Sequence, residues 1–576
     1  MLTDSPVVRA TGPRVLFLGG AAVTAALLLW MHHLRLSGNL PGLTTIFFIQ
    51  FAYLDYWATA CELLILVAAV FIAAKVPVRT LLRVVGERPA TVTAITAVVL
   101  CAGAVTVYHN HPLSMDEYAA YFQSQIFAAG HLTGHFPAPQ LDWLIPPGFQ
   151  NYFITVSRAT GQVASTYWPA HALIMTPFTA LGIPWACNPV LSALSALIIH
   201  RLAIHIFADV EAAGLALLLT IASPVFFGLG ISYYSMPAHL FVNSLFALLL
   251  VRATGLRCLA AGFVGSVALC LHNPVPHILF ALPWLFWIAT RPGGVRLFAL
   301  LCIGYLPLCL VLGVGWFEFS NYLRSSDPNP AAPTDTLGHL QSVLSVFSLP
   351  TAATLVARAM GVAKLWVWAV PGLLILAVCG AVRWRRNTLC ALFTASAAST
   401  LLIYIFFPLD QGHGWGNRYF HSAWMALPLL AAAALYRPAS MNPGPQDAPA
   451  SLVLTFEDAQ TRSYVMACIL LTLVVGVGFR ARQMQGFMAD DLNQLPHYKS
   501  TQPHVVILDP GFMFYGGDLI QNDPWLRGNE IRMMSHGRAA DQQMMAQYYP
   551  TMHQVYADHH GWVWSAKPKV DDAKKP

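Results

Sequence analysis

The sequence predicts an all-α polytopic membrane protein with a small α+β domain at its carboxyl end. Three observations predict it. Of 576 residues, 56% are hydrophobic and only 10% are charged, against about 25% charged in soluble proteins. Mean hydropathy is +0.56. The apolar residues also gather into runs near the ~20 residues a helix needs to cross a bilayer.

About 13 such runs are read, roughly 14–34, 56–75, 90–108, 187–207, 211–230, 235–251, 257–272, 275–290, 297–316, 364–382, 388–407, 421–436 and 463–480. The first, Val15 to Trp30, lacks a small-residue cleavage site and is followed by His32, His33 and Arg35. It reads as a retained span and not a signal peptide. Positive charge orients the rest. Arg9 and Arg14 precede the first span, and Lys75, Arg79, Arg83 and Arg88 follow the second. Later clusters are Arg201, Arg252 with Arg257, Arg291 with Arg296, Arg383 with Arg385 and Arg386, and Arg437 with Arg462. Placing all of them in the cytoplasm makes the spans alternate, with the amino terminus inside and the tail outside. The run Tyr167–Ile183 holds Pro169, His171 and Pro177. Counted as a span it would put Arg201 outside, so it reads as a helix lying in the outer interface.

The chain therefore divides into two amino-terminal spans (1–89), a membrane domain (90–480) and an outer carboxyl-terminal domain (481–576). The membrane domain carries outer loops at about 109–186 and 318–363. In the tail, His504 to Gly511 reads as a strand ending in a turn. Residues 441–458 read as a cytoplasmic loop, and Asp55 and Glu62 as interfacial groups at the head of the second span. The net charge of +6 is scattered through short loops and implies no nucleic-acid partner. Nearly all ten cysteines fall in apolar runs, none as CxxC, which implies neither a disulfide framework nor a zinc site.

The chemistry-bearing residues concentrate in the first outer loop. Asp116 and Glu117 open a segment whose apolar and aromatic residues fall at 118, 122, 126 and 129, before Gly130. That is helical spacing. Two carboxylates at a helix amino terminus are stabilised by about 0.3–1 kcal/mol. They can be substrate-facing, or they can simply cap the helix. Tyr152, Tyr167 and Trp168 fit either an aromatic belt or a sugar-stacking platform. Arg418 stands in Asp410-Gln-Gly-His-Gly-Trp-Gly-Asn-Arg418-Tyr-Phe-His421 as the only cation there. It can pair with a phosphate or hold its own loop through Asp410. His272 and His277 near one span's outer end, and His239 between two spans, can serve a polar cavity or be satisfied interior groups. His131 and His135, a helical turn apart, with His109 and His111 nearby, make only a weak metal pattern.

An Asp-Glu pair heading an aromatic interfacial helix, then Tyr167-Trp168-Pro169, a helix-dense domain and an outer carboxyl-terminal domain form a recognisable pattern. Over roughly 90–436 the chain resembles the integral-membrane glycosyltransferases of the C-type fold. It is similar in pattern to the protein O-mannosyltransferase and lipid A aminoarabinose transferase families. The resemblance implies a polyprenyl-phosphate sugar donor, an acidic catalytic residue in the first outer loop, and the outer face of a bacterial inner membrane, with the tail periplasmic. Asp116 and Glu117 carry over. Relatives often have a second acidic residue in a later loop, where this chain has Ser235 and His239.

The expected function is transfer of a sugar to a lipid, glycan or protein acceptor. Asp116 and Glu117 are the catalytic pair: Asp116 is the base, and Glu117 orients the acceptor or only caps the helix. Arg418 and His272 take the donor phosphate, and Tyr167, Trp168, His171 and His239 line the substrate site. No cofactor or metal is implied, although a divalent cation is compatible. A transporter or lipid flippase is the main rival. It should show buried ionisable groups and repeated halves, and the sequence shows few of the first and none of the second. A non-enzymatic assembly subunit that uses its tail for binding is the third reading.

Overall fold

The computed structural model describes residues 12–38, 40–325, 347–439, 456–498 and 500–566. Part of the second outer region (326–346) and most of the 441–458 loop (441–455) lie outside them, as does Arg9.

Every apolar run coincides with helix. Among the described residues, seven helices are long and apolar enough to cross a membrane: Gly12–Ser37, Thr45–Lys75, Pro89–Thr106, Pro184–Phe207, Gly294–Ser325, Thr388–Phe406 and Ala459–Leu492. An eighth is counted if Val210–Ile221 and Pro224–Gly230, bent by 60°, form one span. Five shorter apolar helices occupy the other runs: Met236–Val251, Gly255–Leu269, Val275–Thr290, Leu373–Arg383 and Ala426–Leu435. Apolar helices thus match the runs, while thirteen crossings is a narrower statement that lengths alone do not establish.

Three boundaries differ from the sequence reading. The run 364–382 is broken between helices Ala352–Val367 and Leu373–Arg383, where Pro371 is followed by Gly372 at φ +87°. The first of these helices starts inside the expected outer loop 318–363, capped by the Thr351 hydroxyl accepting from Thr354 N–H at 3.2 Å. The last long helix continues through Leu492, so the globular tail starts after it and not at 481.

Close helix approach rests on small residues. A Cβ on Gly262 would lie 2.0 Å from Leu301 O, and one on Gly304 would lie 2.2 Å from Leu259 O. All ten cysteines are free, and Cys302 is exposed.

The membrane interior is more charged than the sequence suggested. Asp55 is buried, with its carboxylate 2.8 Å from Lys364 Nζ and 2.7 Å from Arg480 Nη1. Trp368 Nε1 donates to it at 2.8 Å, and the Arg480 guanidinium sits 3.9 Å from the Trp368 ring centre. Glu62 is buried too, with neither oxygen partnered among the described residues. Both groups are buried within the protein, where helices Asp55–Ile72, Ala352–Val367 and Val477–Leu492 converge. This cluster ties the amino-terminal spans to the rest of the bundle.

The first outer region is not all-helical. Helix Met115–Ala128 ends at Gly130, φ +79°. A three-stranded antiparallel sheet follows, with Gln162–Ser165 between Gly134–His135 and Ile154–Val156. Helix Ala170–Ala180 has 11 residues, about 16 Å at 1.5 Å per residue, too short to cross. It packs on the Asp116 helix, where the Ser124 and Thr179 hydroxyls meet at 2.8 Å.

The tail forms a four-stranded sheet in the order Glu530–Met534, His504–Leu508, Gly561–Ser565, His553–Ala557, with only the first pair parallel. Helix Arg538–Tyr548 completes the expected α+β unit. It shares one apolar core with the first outer region, in which Phe122, Phe136 and Val163 pack with Val505, Ile507 and Met545.

Candidate active site

Asp116 is the second residue of helix Met115–Ala128. Ser114 precedes the helix in extended conformation, and its hydroxyl makes no cap. The cap comes from the tail instead, as Met115 N–H donates to Asp518 Oδ1 at 2.8 Å. Asn522 N–H donates to the Tyr118 hydroxyl at 2.8 Å. The carboxyl-terminal domain therefore fixes the start of the helix that carries the acidic pair.

The two acids have different surroundings. Glu117 is fully buried. It accepts from Leu113 N–H at 2.5 Å, the Tyr108 hydroxyl at 3.0 Å and Tyr233 N–H at 2.9 Å. Burial raises its pKa to about 7 despite those donors. It joins three segments and does not face the cavity.

Asp116 keeps 26% of its side chain exposed. Its Oδ2 accepts from Arg418 Nη1 at 2.9 Å, and its Oδ1 accepts from the Tyr167 hydroxyl. Burial raises the carboxyl pKa, but the Arg418 charge and the bonds from Tyr167 and Arg418 outweigh it, leaving the value below the ordinary one. Asp116 is thus ionised near neutrality, and its basicity is muted while Arg418 stays paired.

Arg418 does not pair with Asp410, whose carboxylate accepts from Thr44 N–H at 2.6 Å and the Thr44 hydroxyl at 2.8 Å. Its backbone N–H donates to Gln411 Oε1 at 3.0 Å, its Nη2 donates to Gln411 O, and its guanidinium lies 4.5 Å from the Tyr234 ring centre. The glycines of this loop allow the wrap. Gly414 has φ +128°, and a Cβ there would stand 2.3 Å from Arg418 Cδ.

Tyr167, Trp168, His171 and His272 line one narrow crevice with Asp116 and Ser235. The rings of Tyr167 and His272 are 3.9 Å apart. His272 lies beyond the end of helix Gly255–Leu269. Burial, with Arg418 adding to it, lowers its pKa to about 4. It is therefore a neutral donor or acceptor near pH 7. His171 Nε2 lies 3.3 Å from Tyr233 O. His239 is buried with neither nitrogen partnered among the described residues, one helical turn beyond Ser235, and does not line the crevice. Among the described residues, His109, His111, His131 and His135 form no metal-ligand group. His131 follows the helix end and His135 lies in a strand, so they are not a helical turn apart.

A separate groove is lined in part by Gln411, Asn417, Tyr419 and Phe420 of the Arg418 loop. Leu355, Leu401 and Ile405 make it apolar, while Arg358, Gln411 and Asn417 line it with polar groups. Arg358 lies 5.1 Å from the Tyr419 ring centre, so Arg418 is not the only cation near this loop. Arg358 escaped the sequence reading because its helix was taken as loop. Asp518 carried no local signal.

No protein-family model and no curated protein matches the sequence. Among solved structures, the chain is similar to ArnT from Cupriavidus metallidurans bound to undecaprenyl phosphate, with TM-score 0.49 and 14% identity over 83% of this chain and 98% of that one. It is also similar to the same protein in the apo state, with TM-score 0.44 and 14% identity over the same shares. At these values the likeness assigns neither site nor activity.

Proposed function

We propose that the chain is a glycosyltransferase that moves a sugar from a polyprenyl-phosphate donor to a lipid, glycan or protein acceptor at the outer face of a bacterial inner membrane. The observation that carries the reading is the partly exposed Asp116 carboxylate on Arg418, whose guanidinium bonds both Asp116 of the crevice and Gln411 of the apolar groove. A lipid phosphate needs this combination: hydrocarbon surface for the chain, a guanidinium for the phosphate and a carboxylate for the acceptor proton.

In the proposed step the donor phosphate draws Arg418 away from Asp116. The carboxylate loses its counter-charge in a half-buried site, and its pKa rises toward a useful base. The acceptor O–H or N–H gives its proton to Asp116. The acceptor atom bonds to the sugar's anomeric carbon as the bond to phosphate oxygen breaks, and polyprenyl phosphate leaves with the electron pair. Arg418 stabilises the charge that develops there. The neutral His272, beside Tyr167, orients the donor and adds no charge. Glu117 positions the helix, and Tyr167, Trp168 and His171 shape the sugar pocket.

The buried Asp55, Glu62, Lys364 and Arg480 favour the transporter or flippase reading, since ionisable groups inside a bundle often mark a transport path. Three of them are already paired with one another. The test is release of free polyprenyl phosphate from a polyprenyl-phosphate sugar by the purified full-length protein in detergent. Release supports transfer chemistry. Movement of the intact glycolipid across sealed vesicles without bond cleavage overturns it.

A further inference from the structure

Outside the Asp116 crevice, one cluster has the composition of a metal site. His497, Asp558 and His560 each offer a ligand atom, and these atoms lie within 4.8 Å of one another. They come from two segments far apart in sequence. His497 lies just past the end of the long helix Val477–Leu492, while Asp558 and His560 stand in the turn joining strands His553–Ala557 and Gly561–Ser565.

The turn is rigid before any ligand arrives. Asp558 N–H donates to Gly561 O at 3.0 Å, and Asp509 N–H donates to His560 O at 2.8 Å. Gly561 has φ +155°, and a Cβ there would lie 2.0 Å from Ile507 O. The Asp558 carboxylate is oriented as metal-bound carboxylates are, by bonds from groups behind it. Its Oδ1 accepts from His560 N–H at 2.8 Å and its Oδ2 from the Tyr556 hydroxyl at 3.2 Å. A carboxylate has about four acceptor positions, so a ligand position remains. His560 Nδ1 is closed off from solvent with no hydrogen-bond partner among the described residues. His497 is exposed, so its ring is free to swing the remaining distance.

We propose that His497, Asp558 and His560 bind a divalent transition metal of the zinc class, which staples the outer domain to the segment leaving the last membrane helix. Two imidazoles and one carboxylate suit zinc, with bonds of about 2.0–2.2 Å and a fourth position left to water. The same donors select against magnesium and calcium, which take oxygen ligands. The role is structural and separate from sugar transfer. The metal fixes the sheet whose neighbouring loop supplies Asp518 and Asn522 to the Asp116 helix.

The test uses full-length protein in detergent, stripped with chelator and titrated with zinc alone. One equivalent is expected to bind, with affinity falling about tenfold or more in both His497→Ala and His560→Ala. Unchanged thermal unfolding of the variants in chelator shows that they fold. If His560→Ala fails that control, the exposed His497→Ala decides. No zinc binding by the parent protein, or a loss below tenfold in a folded variant, overturns the proposal.

Discussion

Arg418 Nη1 lies 2.9 Å from Asp116 Oδ2 across 302 residues of sequence. The contact joins the amino end of helix Met115–Ala128 to the glycine-rich loop around Gly412, Gly414 and Gly416. It makes Asp116 a carboxylate whose basicity depends on what Arg418 is doing.

Replacing Arg418 should therefore damage both partners of the reaction. Arg418→Gln is expected to lower kcat about 10²–10³-fold, the usual scale for removing one transition-state donor. Arg418→Lys should recover little, because a lysine has neither the planar fork nor the face that lies on Tyr234. Steady-state kinetics with a polyprenyl-phosphate sugar checks this, and full recovery by lysine contradicts it.

The pH dependence follows from the same pair. Asp116 has its pKa held below the ordinary carboxylate value. The pair's contribution to stability is thus present above about pH 3.9 and is lost as pH falls through the lower folded value. The acid limb of kcat/KM should lie below about pH 4 in the parent protein. In Arg418→Gln it should move upward, because burial then acts without the compensating charge. A pH–rate profile of both proteins checks the direction.

Much of this site was legible in the sequence and part was not. Asp116, Tyr167, Trp168 and Arg418 stood out because polar and aromatic groups are conspicuous at the ends of apolar runs. Their convergence did not, since nothing local says that residue 418 meets residue 116. The helix after Ser114, with its stop at Gly130, followed from periodicity. The sheet at 134–165 did not, because its strands have only two to four residues. The partners of Asp55 were hidden for a similar reason. Lys364 and Arg480 reach it from distant helices, which nothing local to residue 55 announces.

Glu117 should behave as a framework residue. Glu117→Gln keeps the shape but turns an NH₂ toward donors that need an acceptor, at a cost of about 1–3 kcal/mol. The pKa of Glu117 is raised to about 7, so the folded state favours its protonated form. Its contribution to stability should fall as pH rises from about 4.3 toward 7 and then level off. That slope should be missing from the variant's thermal unfolding, measured between pH 5 and pH 8.

The amino-terminal spans should depend on Asp55. Asp55→Asn leaves Lys364 and Arg480 buried without their carboxylate. Breaking a buried ion pair costs about 3–5 kcal/mol, so detergent-solubilised protein should melt markedly lower. Asp55→Glu should restore part of the loss. An unchanged melting temperature in Asp55→Asn contradicts the anchoring role.

The most direct measurement is the transfer rate of Asp116→Asn against the parent protein, with the purified full-length chain and a polyprenyl-phosphate sugar. Asparagine fills the same space and can still meet Tyr167, but it cannot take a proton. The rate should fall about 10²–10⁴-fold, the range for a lost general base, while thermal unfolding shows the fold intact. Parent-like transfer by Asp116→Asn would contradict the assignment of Asp116 as the base.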